Sequence, residues 1–370
     1  MSKTIMYAGC YNRNTWQVAA TDPGGIAAFQ FDAASGAMSH LGTVTNTDNP
    51  SFLAVSRDGG TLYAVNELAD RNEGTVTAYR ITASGGLSYL NMQPSRGSLP
   101  AQLAFDRTER FVLAINYGAG PMPERPNRSL VVYPRAPGGE LLAPVAEVSH
   151  GGRGLNPARQ ERPHPHSVTL TPDNRFAVVA DLGIDRLMVY RFDAATGALD
   201  PHSELSLPPG SGPRHLAFHP RLPYVYVANE LTSTVASLAF DADTAAFSLL
   251  SMAPTVPQAA IAGNSCSEIK IGPGGRHVYV GNRGHDSVSC LLIDETSGIA
   301  SLQSTTPSGG KTPRHFEFDP SGAFLAVANQ HSDCITVFSL DRKSGDLRQL
   351  PATSKVGTPA CIAFASIEEP

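Results

Sequence analysis

The stretch Pro213–Asn229, PRHLAFHPRLPYVYVAN, decides the fold. Leu216 and Phe218 recur at alternate positions before a Pro-rich turn, and after it Tyr224–Ala228 is an unbroken apolar run that stops at Asn229. Alternation and short apolar runs bounded by turn residues are the mark of β-strands, so the stretch predicts a pair of antiparallel strands. The same phrase returns with the same offset of sixteen residues at Pro50–Asn66, Pro100–Asn116, Pro165–Asp181 and Pro313–Asn329, and with Cys in place of Pro at Cys266–Asn282. A truncated copy starts at Pro359 and runs through Cys361, Ile362, Ala363 and Phe364, while the chain opens on an orphan strand, Thr4–Cys10. A half-copy at one end and a lone strand at the other predict a ring closed by its own termini.

The copies start at 50, 100, 165, 213, 266, 313 and 359, steps of 50, 65, 48, 53, 47 and 46 residues. That is the length of one four-stranded propeller blade. Within a unit the strands read as Arg214–His219, Tyr224–Asn229, Thr234–Asp241 and a weaker outer strand near Phe247–Met252. No long stretch carries helical periodicity. Turn chemistry falls where hairpins need it: Asp58-Gly59, Pro172-Asp173-Asn174, Pro273-Gly274-Gly275 and Pro320-Ser321-Gly322 between the first two strands, and Gly36, Gly197, Gly298 and Gly345 between the last two. The expected fold is all-β: a single domain, residues 1–370, forming a seven-bladed β-propeller of four-stranded antiparallel blades in which the N-terminal strand joins the C-terminal blade.

Composition narrows the function classes. A net charge of −5 gives no basic face for nucleic acid. No apolar run approaches a membrane span, and the N-terminus enters its first strand without an apolar leader, so a cytoplasmic location is expected. Gly-rich turns join strand to strand and lack the helix that nucleotide-binding loops need, so no organic cofactor is implied. Five scattered cysteines, Cys10, Cys266, Cys290, Cys334 and Cys361, read as free thiols, with Cys10 and Cys266 at strand ends near one rim.

Register also locates a site. The first strand of each phrase begins, and the second ends, at the same edge of the blade, because the two are antiparallel. The residues following the phrase-opening position, Ser51, Ala101, His166, Arg214, Ser267, Arg314 and Ala360, should therefore ring one mouth of the channel. Those following the closing Asn or Asp, Glu67, Tyr117, Leu182, Glu230, Arg283 and Gln330, should lie beside them. Consecutive blades thus bring His166, Arg214, Glu230, Arg283 and Arg314 together, with Glu67 across the ring. A scaffold does not need such a charged mouth, and converging guanidiniums suit a carboxylate or phosphate. The alternative for Arg214 and Glu230 is a salt bridge that locks the blade. By strand alternation His215 and His315 point away from Arg214 and Arg314 and read as packing residues, and Ser167 points away from His166. His164 and His166 could chelate a metal, but no third ligand stands at a usable spacing, so none is expected.

Two insertions interrupt the regular spacing, 117–127 and 147–164. Both should project onto the charged mouth, and the second, with Arg153, Arg159 and Arg162, suggests a flexible basic lid. Trp16, the single tryptophan, falls in the loop after the first strand, near the same mouth.

The phrases Pro165-His166-Ser167, Gly212-Pro213-Arg214-His215 with Phe218-His219-Pro220, Ala228-Asn229-Glu230-Leu231 and Gly281-Asn282-Arg283 resemble the lactonase family of seven-bladed propellers over nearly the whole chain. That family includes the propeller type of 6-phosphogluconolactonase and the fungal 3-carboxy-cis,cis-muconate cyclase. The resemblance implies an active site at His166, Arg214, Glu230 and Arg283, with Arg314, Glu67, Gln330 and His164 as further substrate-binding candidates. It implies hydrolysis of a small anionic sugar lactone, first of all 6-phosphogluconolactone, with Glu230 or His166 activating water and Arg214 and Arg283 binding the anion. Two alternatives stand beside it: the lactone-forming cyclisation of a carboxymuconate, and a non-catalytic binding module, since propellers also serve as platforms.

Overall fold

The computed structural model describes all residues except 1, 16–17, 22–23, 69–70, 72, 119–126 and 369–370. These form seven four-stranded antiparallel sheets, each a meander from the channel outward. Blade 1 runs Pro50–Val55, Thr61–Asn66, Thr75–Ile81, Leu87–Pro94, and blade 4 runs Pro213–Phe218, Tyr224–Asn229, Thr234–Asp241, Ala246–Pro254. Blades 2, 3, 5 and 6 start from inner strands Pro100–Phe105, Pro165–Leu170, Ser265–Ile271 and Pro313–Phe318. In blade 7 the C-terminal strand Pro359–Glu368 lies innermost and pairs antiparallel with Ser2–Cys10, Met6 opposite Phe364. The termini therefore close the ring as the sequence predicts. Trp16 and most of the insertion 117–127 lie outside the described residues.

Strand by strand, apolar residues face the neighbouring blade. Phe176, Val178, Leu187 and Val189 of blade 3 pack on Leu216, Val225, Val227 and Leu238 of blade 4, nearly all fully buried. Each such side chain contributes roughly 1.5–3 kcal/mol. A recurring tyrosine adds a directional lock: the hydroxyls of Tyr7, Tyr63, Tyr226 and Tyr279 donate to the carbonyls of Gly85, Gly139, Gly298 and Gly345 in the next blade. Close approach limits side-chain size at the seam. A Cβ on Gly9 would sit 2.1 Å from the Pro50 carbonyl oxygen, so the backbone of blade 7 meets blade 1 only through a glycine.

The closing Asn of the phrase has a structural reason. Asn66 donates to Thr47 Oγ1 and the Asp48 carbonyl, Asn116 to the Ser95 carbonyl, and Asn329 to the Ser308 carbonyl. Each ties down the segment that enters its blade from the one before.

One feature departs from simple alternation. In blades 1, 2, 3, 4 and 6 the register shifts at the second residue of the phrase: Pro213 pairs with Asn229 and His215 with Ala228, leaving Arg214 without a partner. Blade 5 shifts between Cys266 and Ile269. A β-bulge re-aims the unpaired side chain and kinks the strand. His166, Arg214 and Arg314 are therefore bulged residues, and the residue after each one also faces the channel rather than the blade interior. This corrects the packing role expected for His215 and His315.

Candidate active site

Gly212, in left-handed conformation at φ 64°, precedes Pro213, and its carbonyl accepts from the Glu230 N–H at 2.7 Å. That bond sets Glu230, just past the end of its strand, beside the entry of the inner strand. Arg283 ends the corresponding strand His277–Arg283 of blade 5. Its Nη2 lies 2.8 Å from Glu230 Oε2 and also donates to the Cys266 carbonyl. Arg214 Nε lies 3.2 Å from the same oxygen, while its Nη1 donates to the Ser267 carbonyl at 2.7 Å. The other oxygen, Oε1, takes Arg159 Nη2 at 2.5 Å.

Glu230 is 3% exposed. Burial would raise its pKa, but Arg283 and then Arg159 and Arg214 outweigh it and hold the carboxyl well below the usual range. Arg214, also 3% exposed, is pushed down to about 9 by burial and by the like charge of Arg283. Neighbouring His166 is held well below the usual histidine value by burial, by Arg214 and by His215. Its imidazole is neutral at pH 7.

Across the mouth Tyr11 Oη donates to Glu67 Oε2 at 2.7 Å, and Arg314 sits 3.9 Å from that oxygen with its guanidinium over the Tyr11 ring. Four guanidiniums, Arg159, Arg214, Arg283 and Arg314, against two carboxylates, Glu230 and Glu67, leave a formal charge of +2. His166, Glu230, Arg283, Arg314, Glu67 and Arg159 wall one cavity with Tyr117, Leu99, Ala101 and Thr15. Its volume is about 30 Å³, room for about one or two waters.

Three expected residues stand elsewhere. Arg214 lies behind Glu230 rather than on the wall. His164 is covered by the Tyr117 ring, stacked at 4.4 Å, and its ring nitrogens meet the Tyr117 carbonyl and Glu161. It holds Tyr117 in place. Gln330 is buried and bonds to His331, off the cavity wall.

Arg159, expected only as part of a flexible basic lid, lines the cavity itself. It belongs to the 147–164 insertion, which is anchored rather than a free flap: His150 bonds Asp181 at 2.6 Å, and Gln160, fully buried, donates to Asp185 and to the Leu182 carbonyl. Arg153 is exposed and Arg162 pairs with Glu161, so of the loop's arginines only Arg159 reaches the site. Its signal was spacing, one residue before an anchoring Gln in a loop known to enter the rim.

All five cysteines are free and buried. Among the described residues no group of three or more His, Cys, Asp or Glu is placed to hold a metal, and no helix is long and apolar enough to cross a membrane.

The fold and site together define a seven-bladed propeller with an arginine-rich, histidine-bearing mouth at one rim. Residues 5–364 match the family model described as lactonase, 7-bladed beta-propeller, and the chain belongs to that family. It is 34% identical over 365 residues to a 6-phosphogluconolactonase of Bacillus subtilis, covering 98% of this chain and 99% of that one. It is 31% identical over 333 residues to a 6-phosphogluconolactonase of Formosa agariphila, covering 88% and 91%. Among solved structures it resembles the periplasmic gluconolactonase of Pseudomonas aeruginosa at TM-score 0.85 and 29% identity, over 100% of both chains.

Proposed function

We propose that the protein hydrolyses a small anionic sugar lactone, with 6-phosphogluconolactone its foremost substrate. The observation that carries this reading is a neutral histidine facing a mouth of net charge +2, in a chain of the lactonase family. A phosphate dianion matches that charge, and Arg283, Arg314 and Arg159 are the guanidiniums on the wall to receive it.

His166, rather than Glu230, is the base. Three guanidiniums occupy the oxygens of Glu230 and hold its proton affinity low, whereas His166, though lowered by burial and Arg214, is neutral and binds no counter-charge. His166 takes a proton from water as the water oxygen attacks the lactone carbonyl carbon. The carbonyl oxygen becomes an oxyanion, which the guanidiniums stabilise. The bond from that carbon to the ring oxygen then breaks, the imidazolium returns its proton to the ring oxygen, and the acid formed loses its own proton to solvent. Glu230 serves by fixing Arg159, Arg214 and Arg283.

A phosphorylated sugar lactone is larger than the 30 Å³ pocket, so it would also occupy the open space above the rim, beside Arg159, 31% exposed at its side chain. The gluconolactonase relative makes gluconolactone the competing substrate. The lactone-forming and non-catalytic readings gain no support from these relatives. The test is the rate of 6-phosphogluconolactone hydrolysis above its spontaneous rate, beside gluconolactone and beside the variant His166→Gln. Hydrolysis that favours the phosphorylated lactone and is lost in the variant is expected. Equal or better hydrolysis of gluconolactone would remove the phosphate assignment, and no enzymatic rate on either would remove the lactonase reading.

A further inference from the structure

Beneath the rim, consecutive blades set three buried polar side chains one position after the bulge: His215, Glu268 and His315, at 5%, 4% and 3% exposure. The lactone chemistry proposed above uses none of them. His215 and Glu268 face an open cavity of about 580 Å³ at the far end of the channel, so these groups lie between the two mouths.

Their hydrogen bonds run in one direction. Burial opposes the charge of Glu268, but the Lys270 ammonium and the hydrogen bond from His215 hold its carboxyl well below the usual range. An ionised carboxylate only accepts. It accepts from the Ile269 N–H at 3.0 Å and from His215 Nδ1, 3.1 Å from both oxygens, while His315 Nε2 lies 3.0 Å away without hydrogen-bond geometry. The Ile362 N–H donates to His315 Nδ1, so the His315 hydrogen sits on Nε2, facing Glu268. His215 must likewise carry its hydrogen on Nδ1, which leaves its Nε2 bare. That nitrogen lies 3.2 Å from His166 Nδ1 and can only accept from it. His166 then carries its hydrogen on Nδ1 and has a lone pair on Nε2, the nitrogen left for the rim cavity.

We infer that Glu268 and His215 are positioning residues: through the chain Glu268–His215–His166 they fix His166 as the Nδ1–H tautomer and present its bare Nε2 to the substrate. A carboxylate two rings away thereby decides whether the rim histidine can act as a base, as an orienting carboxylate does in a Ser-His-Asp triad. The inference rests on His166 being the base, and its first test does not depend on turnover.

That test is the tautomer itself. In the full-length protein labelled with ¹⁵N-imidazole histidine, long-range ¹H–¹⁵N correlation at pH 7.5 distinguishes Nδ1–H from Nε2–H, with signals assigned from His166→Gln and His215→Gln. Both rings are expected as Nδ1–H. Either ring as Nε2–H, or an averaged tautomer at His166, overturns the inference whether or not the protein turns over any lactone.

The second arm is Glu268→Gln, which presents an N–H₂ to the chain. His166 is expected to lose its single tautomer, and kcat on the substrate found above to fall about 100-fold with KM within about threefold. The acid limb of its pH profile should also move, since Arg214, Arg314, Glu230, His215 and Tyr117 still surround the ring while its tautomer has changed. An unchanged His166 tautomer alongside a fall in kcat would mean that Glu268 acts on the fold alone, and would overturn the positioning role.

Discussion

Glu230→Gln keeps the shape of the side chain and removes the charge on which three guanidiniums converge. The consequence falls unevenly. Arg159 and Arg283, 31% and 16% exposed at their side chains, can turn to water, but Arg214 at 3% cannot. Burial and Arg283 have already pushed the Arg214 pKa down to about 9, which disfavours its charged form. A guanidinium does not give up its proton at neutral pH, so the loss of its counter-charge appears as instability. Breaking a buried pair from one side costs ~3–5 kcal/mol, and the amide oxygen keeps one hydrogen bond of ~1 kcal/mol, leaving about 3 kcal/mol. With an unfolding entropy of ~2.1 cal/mol/K per residue, a chain of 370 residues loses ~0.8 kcal/mol per degree, so Tm should fall by about 4 °C. Calorimetric melts at pH 7 without phosphate measure it. The variant's site also rises from +2 to +3, so millimolar phosphate should raise its Tm by more than that of the parent. A Tm within 1 °C of the parent, with the same response to phosphate, would refute the claim that this carboxylate holds the cluster.

The pKa of His166 is depressed, so the base stays neutral until the pH falls through that lowered value; the acid limb of kcat/KM should lie below pH 6.5, and a limb above it would exclude His166. Arg159→Ala removes the most exposed of the three guanidiniums on Glu230 and leaves Arg283 and Arg214 to balance it, so stability should change by no more than ~1 kcal/mol, while KM for the phosphorylated lactone rises ~10-fold and gluconolactone is almost unaffected; equal effects on both would deny it a role in anion binding. Acid should destabilise the fold in a specific window. His166 and His215, the latter lowered to about 4, resist protonation when folded, so the unfolded chain binds more protons below pH 6.5 and stability falls as pH drops, the His215 ring alone removing ~2 kcal/mol between pH 7 and 5. Urea unfolding at the two pH values measures it, and equal stability would contradict the buried neutral rings.

The sequence carried the architecture because a propeller writes its period into the chain. The sixteen-residue offset between inner-strand start and second-strand end placed the mouth of every blade, and with it His166, Glu230, Arg283 and Arg314 on one cavity. What alternation missed was the bulge. A bulged Arg214 and the following His215 both reach the channel, where strict period-two reading sends one of them into the blade. The neighbouring column of the repeat, Phe52, Gln102, Ser167, His215, Glu268, His315 and Cys361, held the signal: ionisable residues in three consecutive blades, where core positions would be apolar. Arg159 was harder to see, because a long loop has no register and only Gln160 seated under Leu182 fixes where its neighbour points. Gln330 and His164 were misplaced for a related reason. Register gives the edge of the blade on which a residue lies, but not whether a loop ring such as Tyr117 covers it.

The division of the rim follows from the same register. Of the seven residues that follow the phrase openings around the mouth, those in blades 7, 1 and 2 are Ala360, Ser51 and Ala101, those in blades 3, 4 and 6 are His166, Arg214 and Arg314, and blade 5 carries Ser267. Small residues on one arc leave space, and charge on the other supplies field. A charged ring on all sides would have no room for a sugar and would gather repulsion that two carboxylates could not balance. The small arc is where the cavity wall is apolar, at Leu99 and Ala101, and the guanidiniums of Arg283 and Arg314 lie on the other. His166 lies at the junction between the arcs. The repeat builds the ring, and the departures from the repeat in four adjacent blades build the site.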